Sequence, residues 1–119
     1  MNVDALETII KNNARDGAVW SRVSQYAYCA LALSEASFSL YDITGEEKYW
    51  KLHVASSNLA DYFNHARNSE NPRELVARNL NVLLGIDGEI SGIYRSWTTG
   101  NVTEDMTANL LNLTEGLSR

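Results

Sequence analysis

One cysteine, one proline and two histidines stand in a chain of 119 residues, and each scarcity removes a class of explanation. A lone cysteine, Cys29, cannot close an intramolecular disulfide, so stability must come from packing, and a reducing compartment is the natural setting. With Pro72 as the sole proline, nothing else in the chain breaks helix interiors on that account. His53 and His65 lie twelve residues apart. At about 100° per residue they diverge by roughly 120° around a helix and cannot ligate one metal. The residues three before them are Trp50 and Tyr62, not the glutamates of di-metal helical bundles. No metal and no cofactor is expected.

Basic residues are few and scattered. Ten lysines and arginines face fifteen acids, for a net charge of −5. No cluster is able to neutralise a run of phosphates, which argues against nucleic acid and anionic membranes as partners. Long apolar runs are also missing. The least charged stretch, Val23 to Tyr41, carries only Glu35 but too many serines to span a bilayer. The segment Met1-Asn2-Val3-Asp4 has neither the basic nor the apolar region of a signal peptide, so a cytoplasmic location is expected.

What the chain does contain is helical periodicity. It predicts a single all-α domain over residues 1–119: an up-down antiparallel bundle of four long helices plus a short N-terminal helix. Asp4 with Glu7 starts the short helix, and Asp16-Gly17 marks a break or kink. The next helix runs from about Gly17 to Tyr41. Val19, Val23, Tyr26, Ala30, Leu33, Ser37 and Tyr41 form its stripe, with Trp20, Leu31 and Phe38 beside it. That stripe covers about half the circumference, wider than a surface helix needs. It predicts contact with several neighbours or with a second copy, and a homodimer is expected.

A turn is read at Asp42-Ile43-Thr44-Gly45, and Thr44 with Glu47 caps the third helix, about Gly45 to Asn68. Leu52, Ala55, Leu59, Tyr62, Phe63 and Ala66 are its buried face. The stretch Leu40-Tyr41-Asp42-Ile43-Thr44-Gly45-Glu46-Glu47-Lys48-Tyr49 resembles the helix–turn–helix linkers of α/α-barrel sugar-active enzymes. The likeness covers about ten residues and reflects turn chemistry. The chain is too short for such a barrel, and no functional residue follows from it.

Asn71-Pro72-Arg73-Glu74 is a clear helix start. The fourth helix carries Leu75, Asn79, Val82, Ile86, Ile90, Ile93 and Trp97 at helical spacing. Asp87-Gly88 is also a hairpin signal, so strands at Val82–Ile86 and Glu89–Ile93 are the alternative. Asn101 with Glu104 starts the last helix, whose stripe is Val102, Met106, Leu110, Leu113 and Leu117.

Groups able to do chemistry do not converge. Cys29 reads as a small buried hydrophobe, and the spacing Gly85-x-x-Gly88-x-x-x-Gly92 matches no nucleotide fingerprint. The chain therefore reads as a non-enzymatic protein–protein interaction module. Small acidic inhibitors, immunity proteins and accessory proteins of phages or mobile elements share its profile. Two surfaces are candidates for the contact. One is Trp50 with Val54, Asp61 and His65, opposite Leu59 and Phe63, where an exposed tryptophan would act as an anchor. The other is the face of Gly85, Gly88 and Gly92, where exposed backbone would admit a close neighbour. The alternatives are a helical enzyme or ligand binder with a pocket lined by Tyr26, Tyr41, Tyr62, Tyr94 and Trp97 and His53 as base, and a structural oligomer subunit.

Overall fold

The computed structural model of the chain describes residues 18–71, 74–75 and 78–118, and of residues 18–29, 80 and 84 it describes the backbone alone. All regular structure among the described residues is helical, in four long helices: α1 (Ala18–Thr44), α2 (Glu47–Arg67), α3 (Leu80–Thr99) and α4 (Glu104–Glu115). The short N-terminal helix expected from Asp4, the Asp16-Gly17 kink and the side chains of Val19, Trp20, Val23, Tyr26 and Cys29 fall outside the described residues.

The turn between α1 and α2 is shorter than its sequence implies. Asp42, Ile43 and Thr44 remain helical, because the Thr44 hydroxyl donates back to the Leu40 carbonyl at 2.8 Å and satisfies a helix-end acceptor. Only Gly45 and Glu46 lie between the two helices. The Gly45 φ of 71° is a left-handed conformation open to glycine, and its N–H donates to the Tyr41 carbonyl at 2.7 Å. Thr44 does not cap α2. Glu46 occupies that position without a side-chain bond, and the Thr44 oxygen accepts from its N–H at 3.2 Å.

Two helices joined by so tight a turn fold back on each other. Ser34 meets His53 and Ser57, Phe38 meets His53 and Tyr41 meets Trp50. α2 also packs along α4, and α4 along α3. All six residues expected on the inner face of α2 are buried, as are Ala30 and Leu33 of α1, Leu83, Ile86, Ile90 and Ile93 of α3, and Leu110 of α4.

The stretch from Val82 to Ile93 is helix, not a hairpin. Asp87, read as a turn residue, is buried inside it, and helical spacing extends through the whole span. The expected start at Asn71 holds locally. Glu74 N–H donates to Asn71 Oδ1 at 3.4 Å, and Asn71 Nδ2 donates to Glu74 Oε2 at 2.9 Å. The helix is not continuous from there, however, because Asn79 has φ −99° and ψ 12° where α3 begins. Its Nδ2 donates to the Leu75 carbonyl at 3.0 Å, and a side chain that competes for a helical carbonyl loosens the local turn. α4 starts two residues later than its sequence suggests. Thr103 is its cap, accepting from Met106 N–H at 3.2 Å. Gly100 supplies the left-handed residue that ends α3, with φ 74°. Its N–H and that of Asn101 donate to the Trp97 and Ser96 carbonyls, the paired closure of a Schellman motif.

Candidate functional site

Four rings meet at the seam of α1 and α2. The Trp50 indole stands 5.4 Å from the Tyr41 ring and 5.3 Å from the His53 ring, centroid to centroid. Phe38 stands 5.2 Å from His53 on its other flank. The planes are tilted, between 41° and 57°, within the range that aromatic pairs favour over a flat sandwich. The rings nonetheless face outward. Phe38 is 49% exposed, Trp50 42% and Tyr41 36%, and Leu31, two turns before Phe38, is 48% exposed. Large apolar groups exposed contiguously, in place of singly, mark interaction surfaces.

A polar stitch holds this face in place. Nδ1 of His53 lies 2.9 Å from the Ser34 carbonyl and 3.0 Å from the Ser34 hydroxyl. A carbonyl only accepts, so Nδ1 carries the proton and donates to it. The Ser34 hydroxyl is 2.7 Å from that of Ser57, and Ser34 itself is buried. The arrangement fixes the His53 ring between Phe38 and Trp50. With Nδ1 as donor, that nitrogen cannot take the Ser34 hydroxyl proton as a base would.

The residues expected at the Trp50 surface divide by depth. Trp50, Asp61 and His65 are exposed along the outer side of α2, and Val54 is half-buried one turn after Trp50. The glycine face does not form a single open groove. Gly85, Gly88 and Gly92 are all half-buried. A Cβ at Gly85 would lie 3.2 Å from Leu113 Cδ2 of α4, whereas one at Gly92 would meet nothing within 4 Å. The two candidate surfaces lie on different helix pairs: Trp50 at the α1–α2 seam, Gly85 beneath α4.

The expected aromatic pocket is dispersed. Tyr94 and Trp97 of α3 do line an open apolar groove of about 220 Å³, opposite Ala32, Leu33 and Ala36 of α1, which is smaller than the roughly 300–1,000 Å³ of typical small-molecule sites. Tyr41 belongs instead to the α1–α2 seam, and His53 is tied there. Tyr62 is completely buried, and its hydroxyl accepts from Asn79 Nδ2 at 3.3 Å. Burial pushes the Tyr62 phenol above its ordinary value, with the Asn79 hydrogen bond and the Arg78 charge pulling the other way. Lys51 of α2 reaches Glu104 of α4 at 3.0 Å, and that hydrogen bond holds its ammonium above the usual value.

Phe38 is the residue of this cluster that sequence reasoning missed, and Tyr41 was expected in the aromatic pocket instead, because both stood on or beside the apolar stripe of α1. The signal was available in the turn. Tyr41 with Trp50, and Phe38 with His53, lie at matching distances either side of the Gly45 turn, and positions so related meet across a helical hairpin. Among the described residues no group of three His, Cys, Asp or Glu side chains is placed to hold a metal, and no helix is long and apolar enough to cross a membrane. No protein-family model matches the chain, and no curated protein or solved structure does.

Proposed function

We propose that this chain is a non-enzymatic protein-interaction module whose contact surface is the aromatic face at the α1–α2 seam, with Trp50 at its centre. The observation that carries this reading is the combination of exposure and fixation: Phe38, Tyr41 and Trp50 are each more than a third exposed, while His53 and Ser34 anchor the cluster from beneath. Rigid, exposed aromatics lose little conformational entropy when a partner covers them, and tryptophan and tyrosine dominate binding hot spots. The four helices are read as an up-down antiparallel bundle that presents this face on one side. Small acidic inhibitors, immunity proteins and accessory proteins of phages or mobile elements are the functional class with this profile.

The enzyme reading draws less support. Its candidate base, His53, donates through Nδ1 to a backbone carbonyl, so Ser34, which faces that nitrogen, is not paired with it as a nucleophile. The Tyr94–Trp97 groove favours, at most, a small apolar ligand, and a reproducible thermal shift with one compound class would bring that reading forward.

The test compares wild type with Trp50→Ala as baits in the native host, with circular dichroism to show that both are folded. A protein captured by the first and lost with the second supports the reading. Capture that is identical with both baits contradicts it.

A further inference from the structure

Acidic side chains predominate around the aromatic face. Glu35 and Asp42 flank Phe38, three residues before and four after it, Glu46 precedes Trp50 by four, and Asp61 follows Ser57 by four. All four acids are exposed. Helical spacing of three or four places each of them beside the rings or the Ser34–Ser57 stitch. Of the described cations, Lys48 alone enters this rim, where it offsets Glu46, and the others are engaged or lie elsewhere. Lys48 reaches Glu46 at 3.7 Å, Lys51 is held by Glu104, Arg67 by Asn64 at 2.6 Å and Arg78 by Glu74, while Arg95 belongs to α3. Glu35, Asp42 and Asp61 have no ion-pair partner among the described residues.

From this we infer, on the basis of the interaction reading above, that the aromatic face takes an arginine-bearing, amphipathic segment of a different protein chain. Each part of the surface matches one part of such a segment. The Trp50 and Tyr41 faces attract a guanidinium through the ring quadrupole. The planar fork of arginine can at once stack on an indole and bind a carboxylate such as Asp42. Leu31 and Phe38 accept an aliphatic neighbour. The same acids disfavour other occupants. A phosphate-rich surface is repelled, and a second copy related by a two-fold axis would set this acidic rim against itself.

The experiment selects binders to the full-length protein from a surface-displayed library of random twelve-residue peptides, with Trp50→Ala as the counter-selection target. Sequences that depend on Trp50 should be enriched in arginine next to leucine or an aromatic. Their affinity should fall about 30-fold in Trp50→Ala, the usual scale of a lost hot-spot aromatic. It should fall roughly tenfold or more in Asp42→Lys/Asp61→Lys, and it should weaken as salt rises. Trp50-dependent binders without net positive charge, or affinities that the double charge reversal leaves unchanged, overturn the inference while sparing the interaction reading. A library that yields no Trp50-dependent binder overturns both. A wild-type dimer in sedimentation that Trp50→Ala dissolves assigns the face to a second copy and overturns the inference.

Discussion

Asn79 shows how one polar side chain shapes this molecule. It is almost fully buried, and its amide group meets four polar partners. The two Nδ2 hydrogens are shared among the Leu75 carbonyl, the Tyr62 hydroxyl and the Ser118 carbonyl, and Oδ1 accepts from Ser118 N–H at 2.8 Å. The last two bonds hold the backbone beyond α4 against the start of α3. Asn79→Ala should therefore cost about 3 kcal/mol, because it strands buried donors and acceptors as well as deleting bonds. Asn79→Asp should cost at least as much, since a carboxylate would face two carbonyl oxygens that now receive N–H donors. Urea denaturation measures both, and a loss below about 0.5 kcal/mol in Asn79→Ala would show that the network is dispensable. Tyr62, bonded to the same amide, adds a pH dependence. Its phenol is raised in the folded protein, chiefly by burial, above a reference of 10.0. The unfolded chain thus ionises this group first as pH rises. Its contribution is complete below the unfolded value and declines as pH climbs through 10 toward the folded value. The urea midpoint should drop as pH climbs past 10.0, and Tyr62→Phe should remove part of that drop while costing only about 1 kcal/mol at pH 7. Equal alkaline slopes in the two proteins would refute the assignment.

Among the elements, α3 is the one whose glycines separate two ideas about the chain. Gly92 has free space where a Cβ would stand, and Gly85 has Leu113. Alanine at Gly92 should stabilise the protein by about 0.5–1 kcal/mol, because it removes the glycine penalty without a clash. Alanine at Gly85 gains the same propensity but presses on a flexible leucine end, so its effect should lie below that of Gly92→Ala, near zero. A thermal melt of the two variants ranks them, and the reverse order would mean that α4 lies differently on α3. These elements also show what was readable beforehand. The inner face of α2, Leu52 to Ala66, was correct in every residue because apolar spacing carries it alone. The outer residues of α1 were not, since Leu31, Phe38 and Tyr41 are as apolar as Ala30 and Leu33. Periodicity marks an apolar side chain without saying whether a neighbour covers it. The interruption at Asn79 and the late start of α4 were hidden for a related reason, because both depend on which of several neighbouring polar side chains wins a local backbone partner.

At the scale of the whole molecule, the wide apolar face of α1 has two consequences, and charge decides between them. Exposed leucine, phenylalanine, tyrosine and tryptophan in one patch would ordinarily drive self-association. The expectation of a homodimer rested on that width. Yet Glu35, Asp42, Glu46 and Asp61 surround the patch, and the chain carries five net negative charges. Bringing two such faces together around a two-fold axis crowds like charges as the rings desolvate, where their repulsion is strongest. The wild-type chain should therefore sediment as a monomer at micromolar concentration, neutral pH and low salt. Neutralising the rim with Glu35→Gln, Asp42→Asn and Asp61→Asn removes the repulsion and keeps the rings, so that variant should dimerise at the same concentration. Adding Trp50→Ala should return it to monomer. Sedimentation velocity on the three proteins reads the sequence of outcomes directly. If the wild type is already dimeric, the rim does not govern association. If the neutralised variant stays monomeric, the aromatic face lacks the adhesive strength assigned to it, and the contact surface must be sought elsewhere on the helices.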